Sequence, residues 1–168
     1  MSQSVKIATI LPYKENYTFQ KAQAAAIWVC DFFKYSKFKN TNYIYGNTKG
    51  NDYLTKNYIN ISINNLKSKF SSSTNEYCKN FIKKTKNNNF DIIEIHNRPL
   101  VFNYLKKAID SKYILYFHND PLSMNGSKSI NERLKLLDEL DKIIFVSKWV
   151  QNRFFEKLDN KLINKTEV

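Results

Sequence analysis

The chain carries two histidines, and each ends an apolar run in the same kind of frame. His96-Asn97-Arg98-Pro99 follows Ile92-Ile93-Glu94-Ile95, and His118-Asn119-Asp120-Pro121 follows Ile114-Leu115-Tyr116-Phe117. An imidazole changes charge closest to neutral pH, so it can serve as acid, base, hydrogen-bond partner or metal ligand. Zinc could be ligated by the two imidazoles with Asp120 or with Glu94, which an i, i+2 spacing places on the same strand face as His96. There is no H-E-x-x-H, no cysteine ligand and no clear third residue, so no metal is expected. Nucleophilic catalysis lacks its signatures: G-x-S-x-G is absent, and neither Cys30 nor Cys78 ends a strand. G-x-G-x-x-G and the P-loop are absent too, which excludes those self-contained dinucleotide and triphosphate domains.

Apolar strands alternating with amphipathic helices must position these residues. Strands are expected at 5–11, 42–45, 58–61, 90–95, 112–117 and 142–146, with Lys165-Thr166-Glu167-Val168 reading as the start of another. Thr18 is expected to cap a helix running to about Tyr35, with Ala22, Ala25, Ala26, Val29 and Phe33 on one face. Residues 70–73 read as a polar loop, and Thr74 as the cap of a helix to about Lys86 with Tyr77, Phe81 and Ile82 inward. Pro99 opens a helix to about Ile109 with Val101, Leu105, Ala108 and Ile109 buried. A helix at 130–140 should bury Ile130, Leu134 and Leu137, and one at 149–158 should bury Val150, Phe154 and Leu158. This alternation predicts βαβ units, hence a doubly wound α/β fold with a mainly parallel sheet and helices on both faces. In such a sheet ligands bind beyond the carboxyl ends of the strands. Both histidines fall there, as do Ser147-Lys148 and the loop Pro12-Tyr13-Lys14-Glu15. Asn97 and Asn119 have a plainer alternative role, ending a strand and capping the next turn.

At 168 residues, 42% hydrophobic and 15% aromatic, the chain suits one packed domain. The two cysteines make no disulfide framework and are expected buried and reduced. A net charge of +12 points to nucleic acid, an anionic membrane or a phosphorylated substrate. The lysines are scattered from Lys6 to Lys165 and interleaved with Asn, as in Lys83-Lys84-Thr85-Lys86-Asn87, so nucleic acid is not the expected partner. The apolar stretch at Met1–Leu11 is too short for a signal peptide, and no run approaches the roughly 20 apolar residues of a membrane span. A cytoplasmic location is expected.

Four segments together resemble family 4 of the retaining glycosyltransferases, in particular bacterial members of lipopolysaccharide or surface-polysaccharide assembly. They are Asp91 to Pro99, Tyr116 to Pro121, Met124-Asn125-Gly126-Ser127-Lys128-Ser129 with Glu132-Arg133, and Asp141 to Lys148. The resemblance implies one Rossmann-like half of a GT-B fold. Residues 1–158 would form the N-terminal, acceptor-side domain, and 159–168 the start of a linker to a donor-binding domain that this chain lacks. It implies transfer of a sugar from a nucleotide-sugar to a lipid-linked or polysaccharide acceptor, with no metal or other cofactor, and an inactive isolated half. His118 would be the catalytic histidine, contacting the donor sugar at the reacting centre. His96, Asn97 and Arg98 would line the acceptor side with Asn119, Asp120, Ser147 and Lys148. The family's Gly-rich first turn is replaced by Pro12-Tyr13-Lys14-Glu15-Asn16-Tyr17, which suggests contacts from Tyr13 or Tyr17. The basic surplus fits peripheral docking on an anionic inner membrane, with Lys34, Lys37 and Lys39 beside Tyr35 and Phe38 as candidates. The alternative is a non-catalytic carbohydrate- or nucleotide-binding α/β module.

Overall fold

A computed structural model of the chain describes residues 4–63, 72–158 and 164–168. Seven strands form one sheet: β1 (Ile7–Ile10), β2 (Asn42–Gly46), β3 (Tyr58–Asn60), β4 (Ile92–His96), β5 (Lys112–Phe117), β6 (Lys142–Phe145) and β7 (Thr166–Glu167). Their order is β3-β2-β1-β4-β5-β6-β7, and every pairing is parallel. The order reverses between β1 and β4, so the chain leaves those neighbouring strands in opposite directions across the sheet. That divergence opens a crevice at their carboxyl ends.

Right-handed crossovers decide which face each helix covers. Helix α1 (Ala24–Tyr35) packs Ala26, Val29 and Cys30 with Leu11, Ile44 and Tyr58 in a cluster on one face. Helices α2 (Ser73–Thr85), α3 (Pro99–Leu105), α4 (Ile130–Glu139) and α5 (Lys148–Phe155) share the larger core on the other. That core includes Ala8, Ile10, Ile93, Ile95, Leu115, Phe117, Ile143 and Phe145, from alternate positions of the central strands. Both cysteines are buried and free.

Helix limits and buried faces differ from expectation in five places, one of them α5, which ends at Phe155 and leaves Leu158 half-buried beyond it. Helix α1 starts at Ala24, not after Thr18, because Thr18 pairs in an isolated antiparallel bridge with Tyr53. Helix α2 is capped by Ser72, whose Oγ accepts the Asn75 N–H at 3.2 Å, instead of by Thr74. Helix α3 stops at Leu105 and leaves Ala108 exposed. In α4 the inward residues are Arg133, Leu136 and Leu137, while Ile130 and Leu134 are each 41% exposed. Arg133 can be buried because its guanidinium donates to the carbonyls of Ser127, Lys128 and Glu156. At the carboxyl end β7 pairs with β6, so the sheet reaches Glu167. Of the stretch read as linker, 166–167 are strand, and 159–163 lie outside the described residues, as do 70–71 of the loop expected at 70–73.

The end of β1, where the first site loop begins, is held from the far side of the sheet. The buried Tyr77 hydroxyl donates to the Leu11 carbonyl at 3.0 Å, and the Tyr77 ring lies 6.1 Å from that of Tyr13. Tyr77→Phe removes a buried donor without opening a large cavity and should cost about 1–2 kcal/mol. Urea denaturation of the two proteins measures this; equal midpoints would show that the hydroxyl does not hold the strand end.

Candidate functional site

The site begins with register. Paired residues of a parallel sheet share a face, and His96 pairs with Tyr116. His118, two residues beyond Tyr116, therefore joins His96 on the α1 face. The rings meet: His96 Nδ1 lies 2.8 Å from His118 Nε2, with centroids 5.1 Å apart. One ring donates and the other accepts, according to tautomer. His96 also stacks on Tyr116 at 4.5 Å. From α1, Trp28 roofs all three rings, 5.8 Å from His96, 5.4 Å from Tyr116 and 5.2 Å edge-on to His118.

Asn97 couples the two loops. Its φ of 54° lies in the left-handed region, which Asn tolerates better than most residues. The turn directs Oδ1 to accept the backbone N–H of His118 at 2.7 Å and that of Asn119 at 3.3 Å. The Asn97 N–H donates to the Tyr116 carbonyl at 2.8 Å. Asn97 is thus a buried staple between the ends of β4 and β5, and the Arg98 guanidinium donates back to its carbonyl at 2.8 Å.

A polar chain underlies the rings. Thr9 Oγ1 lies 2.7 Å from Glu94 Oε2 and 3.0 Å from Asn42 Oδ1, and the Tyr116 hydroxyl donates to Glu94 Oε1 at 3.4 Å. Burial raises the Glu94 pKa against the opposing effect of those hydrogen bonds. Burial also depresses both imidazoles: His118 to about 4, and His96 well below its usual value, with the neighbouring His118 charge adding to the effect. Both rings are therefore neutral at pH 7. With Nε2 engaged by His96, His118 has Nδ1 left for a ligand. It is suited to hydrogen bonding and not to acting as an imidazolium.

His118 faces a cleft of about 420 Å³ whose lining includes Glu15, Gln23, Trp28, Asn97 and Asn119. Glu15 Oε1 accepts the Ala26 N–H at 3.1 Å, so this carboxylate caps the start of α1, and burial raises its pKa. His96, Asn97, His118 and Asn119 come together here, and Arg98 sits beside them. The other expected residues do not join them. Tyr17 is fully buried, stacked on Tyr58 at 4.9 Å, and no ligand can reach it. Tyr13 packs against Tyr77. Asp120 caps the 3-10 turn Pro121–Ser123 and pairs with Arg153 at 3.1 Å. Ser147 caps α5, and Lys148 donates to Gln151. Sequence reasoning did not single out Trp28 or Glu15 as site residues. Glu15 had a signal, a carboxylate in the loop after the first strand; Trp28 looked like one more apolar helix residue. Among the described residues no three His, Cys, Asp or Glu side chains cluster as metal ligands.

The architecture is a Rossmann-like α/β fold that matches one half of a GT-B glycosyltransferase. The chain aligns over 98% of its length, with a TM-score of 0.62 and 15% identity, to the lipopolysaccharide outer core galactosyltransferase WaaB in its apo form. The match spans 45% of that protein, so the chain covers less than half of this neighbour's length. No protein-family model matches the sequence, and no curated protein matches it.

The depressed imidazoles predict a pH dependence of stability. Once unfolded, both rings take up protons near pH 6.5. The unfolded state then binds more protons than the folded one, and stability falls as pH drops from about 6.5 through the His118 value of about 4. Glu15 and Glu94, raised by burial, act in the opposite sense, so the useful quantity is a difference between proteins. Between pH 6.5 and 4, His118→Asn should lose less stability than wild type, by on the order of 2 kcal/mol. Urea midpoints across that range test this, and parallel curves would rule out a depressed His118.

Proposed function

We propose that this chain is the acceptor-side domain of a retaining, family 4 type glycosyltransferase that moves a sugar from a nucleotide-sugar to a lipid-linked or polysaccharide acceptor. The observation that carries this is the neutral His96–His118 pair opening into a polar cleft at the strand-order reversal. The fold likeness to half of a galactosyltransferase supports the same reading. The nucleotide-sugar is a cosubstrate, and no metal or other cofactor is called on.

In the transfer, the bond from the sugar's anomeric carbon to the diphosphate breaks as the bond to the acceptor oxygen forms on the same face. The acceptor proton passes to a leaving phosphate oxygen. His118 donates or accepts a hydrogen bond at a sugar hydroxyl and steadies the developing charge. A fixed neutral dipole does this without reorganising as the charge moves. His96 sets the tautomer, Trp28 shields the pair from water, and Asn97, Arg98 and Asn119 face the acceptor. The donor domain belongs to a longer protein, and the isolated chain is expected not to turn over.

The working location is the inner face of a bacterial cytoplasmic membrane. On α1, Ile27, Phe32 and Tyr35 are exposed, and Tyr35 is 90% accessible. A shallow groove runs along Trp28, Asp31, Phe32, Tyr35 and Ser36. Lys37 extends over the Phe38 ring beside this patch, while Lys34 pairs with Asp31. Exposed aromatics ringed by lysines suit an anionic lipid surface better than nucleic acid. No helix among the described residues is long and apolar enough to cross a membrane.

The test is sugar transfer by the full-length protein on a panel of nucleotide-sugars with a bacterial lipid or polysaccharide acceptor extract. His118→Ala should lower kcat by a hundredfold or more, the scale for removing one well-placed polar group at a reacting centre. Equal rates would remove His118 from the chemistry. A folded wild type that transfers no sugar, yet binds sugar or nucleotide as this chain alone, would make the non-catalytic binding module the better account.

A further inference from the structure

A second polar cavity, about 380 Å³, shares Asn97 and Asn119 with the His118 cleft and otherwise draws on different elements. Thr74, Arg98, Ser123, Asn125 and Lys128 contribute to its lining, and no carboxylate does. Neither Arg98 nor Lys128 is ion-paired among the described residues. The carboxylate that acts on Arg98, Glu15, lies in the neighbouring cleft and is committed to the start of α1. Glu132 is likewise engaged, accepting from the Ser129 N–H and hydroxyl at 2.8 and 3.0 Å.

The backbone that carries these cations is unusually well fixed for surface residues. Arg98 is anchored to the Asn97 carbonyl. Buried Arg133 donates to the Lys128 carbonyl at 2.9 Å and reaches across to the Glu156 carbonyl at 2.7 Å. The buried Ser127 hydroxyl donates to the Pro121 carbonyl at 2.6 Å. Gly126, at φ +93°, lets the loop press against the start of α3; a Cβ there would lie 3.1 Å from the Leu100 nitrogen. The motif Met124 to Ser129 with Glu132-Arg133, which the chemistry at His118 leaves unused, thus fixes the loop that brings Lys128 to the cavity Arg98 also lines. Two cations with the Asn119 and Asn125 amides and the Thr74 hydroxyl at the rim offer more than a carboxylate's two oxygens can accept. They match the tetrahedral array of acceptor oxygens on a phosphate group.

We propose that this cavity is an oxyanion subsite that takes a phosphate group of the sugar acceptor, with Arg98 and Lys128 as its cationic arms. The identity of the ligand as acceptor rests on the transferase reading; the phosphate site itself does not. It gives a chemical reason for two adjoining cavities, one holding the reacting sugar at His118 and the other gripping the acceptor by its charge.

The test uses this chain and small probes. Amide NMR shifts are followed during titration with glycerol 3-phosphate, diethyl phosphate, glucuronate and glycerol at constant ionic strength. Glycerol 3-phosphate should shift the Leu100, Asn119, Asn125 and Lys128 amides saturably, and glycerol should not. Stronger binding of glycerol 3-phosphate than of diethyl phosphate identifies a terminal monoester; the reverse order identifies a phosphate within a diester linkage. Arg98→Gln and Lys128→Gln, both at exposed side chains, should each weaken binding tenfold or more. Lys107→Gln, which removes an exposed charge elsewhere, should leave it within twofold. No saturable shift, an Arg98→Gln/Lys128→Gln double variant that binds like wild type, or glucuronate binding as well as either phosphate would each overturn the proposal. Phosphate binding by this chain alongside a full-length protein that transfers no sugar would uphold the site and reject the transferase reading.

Discussion

One hydrogen bond carries much of the site: the backbone N–H of His118 donating to Asn97 Oδ1 at 2.7 Å. The ends of β4 and β5 are separate loops that would otherwise settle independently. A left-handed Asn at the end of β4 turns its amide sideways, satisfies two N–H groups of the next loop, and fixes where the second imidazole emerges. Parallel register does the rest by placing His96 and His118 on one face. The strained backbone of Asn97 is then a small cost set against the three hydrogen bonds it makes to the end of β5 and the residues after it.

Desolvation is the consequence of that geometry. Two imidazoles beneath a tryptophan and beside a tyrosine cannot easily carry charge, and His118 further disfavours protonation of His96. The pair becomes a neutral dipole of fixed direction. The same face holds the Glu94 carboxyl, bonded to Thr9 and Tyr116, whose pKa burial raises. The reacting side of the cleft therefore presents a neutral imidazole, and the Glu15 carboxylate in the same cleft is committed to the start of α1. The cations that meet solvent, Arg98 and Lys128, stand in the adjoining cavity. Separating a neutral reacting centre from a charged grip is a division of labour that suits sugar chemistry on a charged acceptor.

The strands were readily legible in the sequence, because continuous apolar runs bounded by polar residues are what a sheet covered on both faces requires. Even the short strand at Thr166–Glu167 was signalled by its run after Lys165. The two His-Asn frames pointed to the right end of the sheet, and the coupling of their loops followed from it. The features that could not be read depended on partners distant in sequence. Thr18 has the chemistry of a helix cap, but its backbone is claimed by Tyr53. Tyr17 sits in a polar loop, yet its ring is taken into the core by Tyr58. Periodicity placed Ile130 and Leu134 inward on α4, whereas Arg133 is buried, which becomes possible only when three carbonyls from two loops converge on one guanidinium. Trp28 was hidden for the opposite reason: nothing local separates a tryptophan that fills a core from one that roofs a site.

The proposed function depends most on the two imidazoles being neutral and hydrogen-bonded to each other. Nitrogen-15 NMR of the ring nitrogens, followed from pH 8 to pH 3.5, tests this directly, and with two histidines in the chain the signals are readily assigned. Both rings should be neutral at pH 7, His118 should titrate near pH 4, and His96 should stay neutral well below pH 6.5. Two rings titrating independently near pH 6.5, each with solvent-like nitrogen shifts, would contradict the pair and the function built on it.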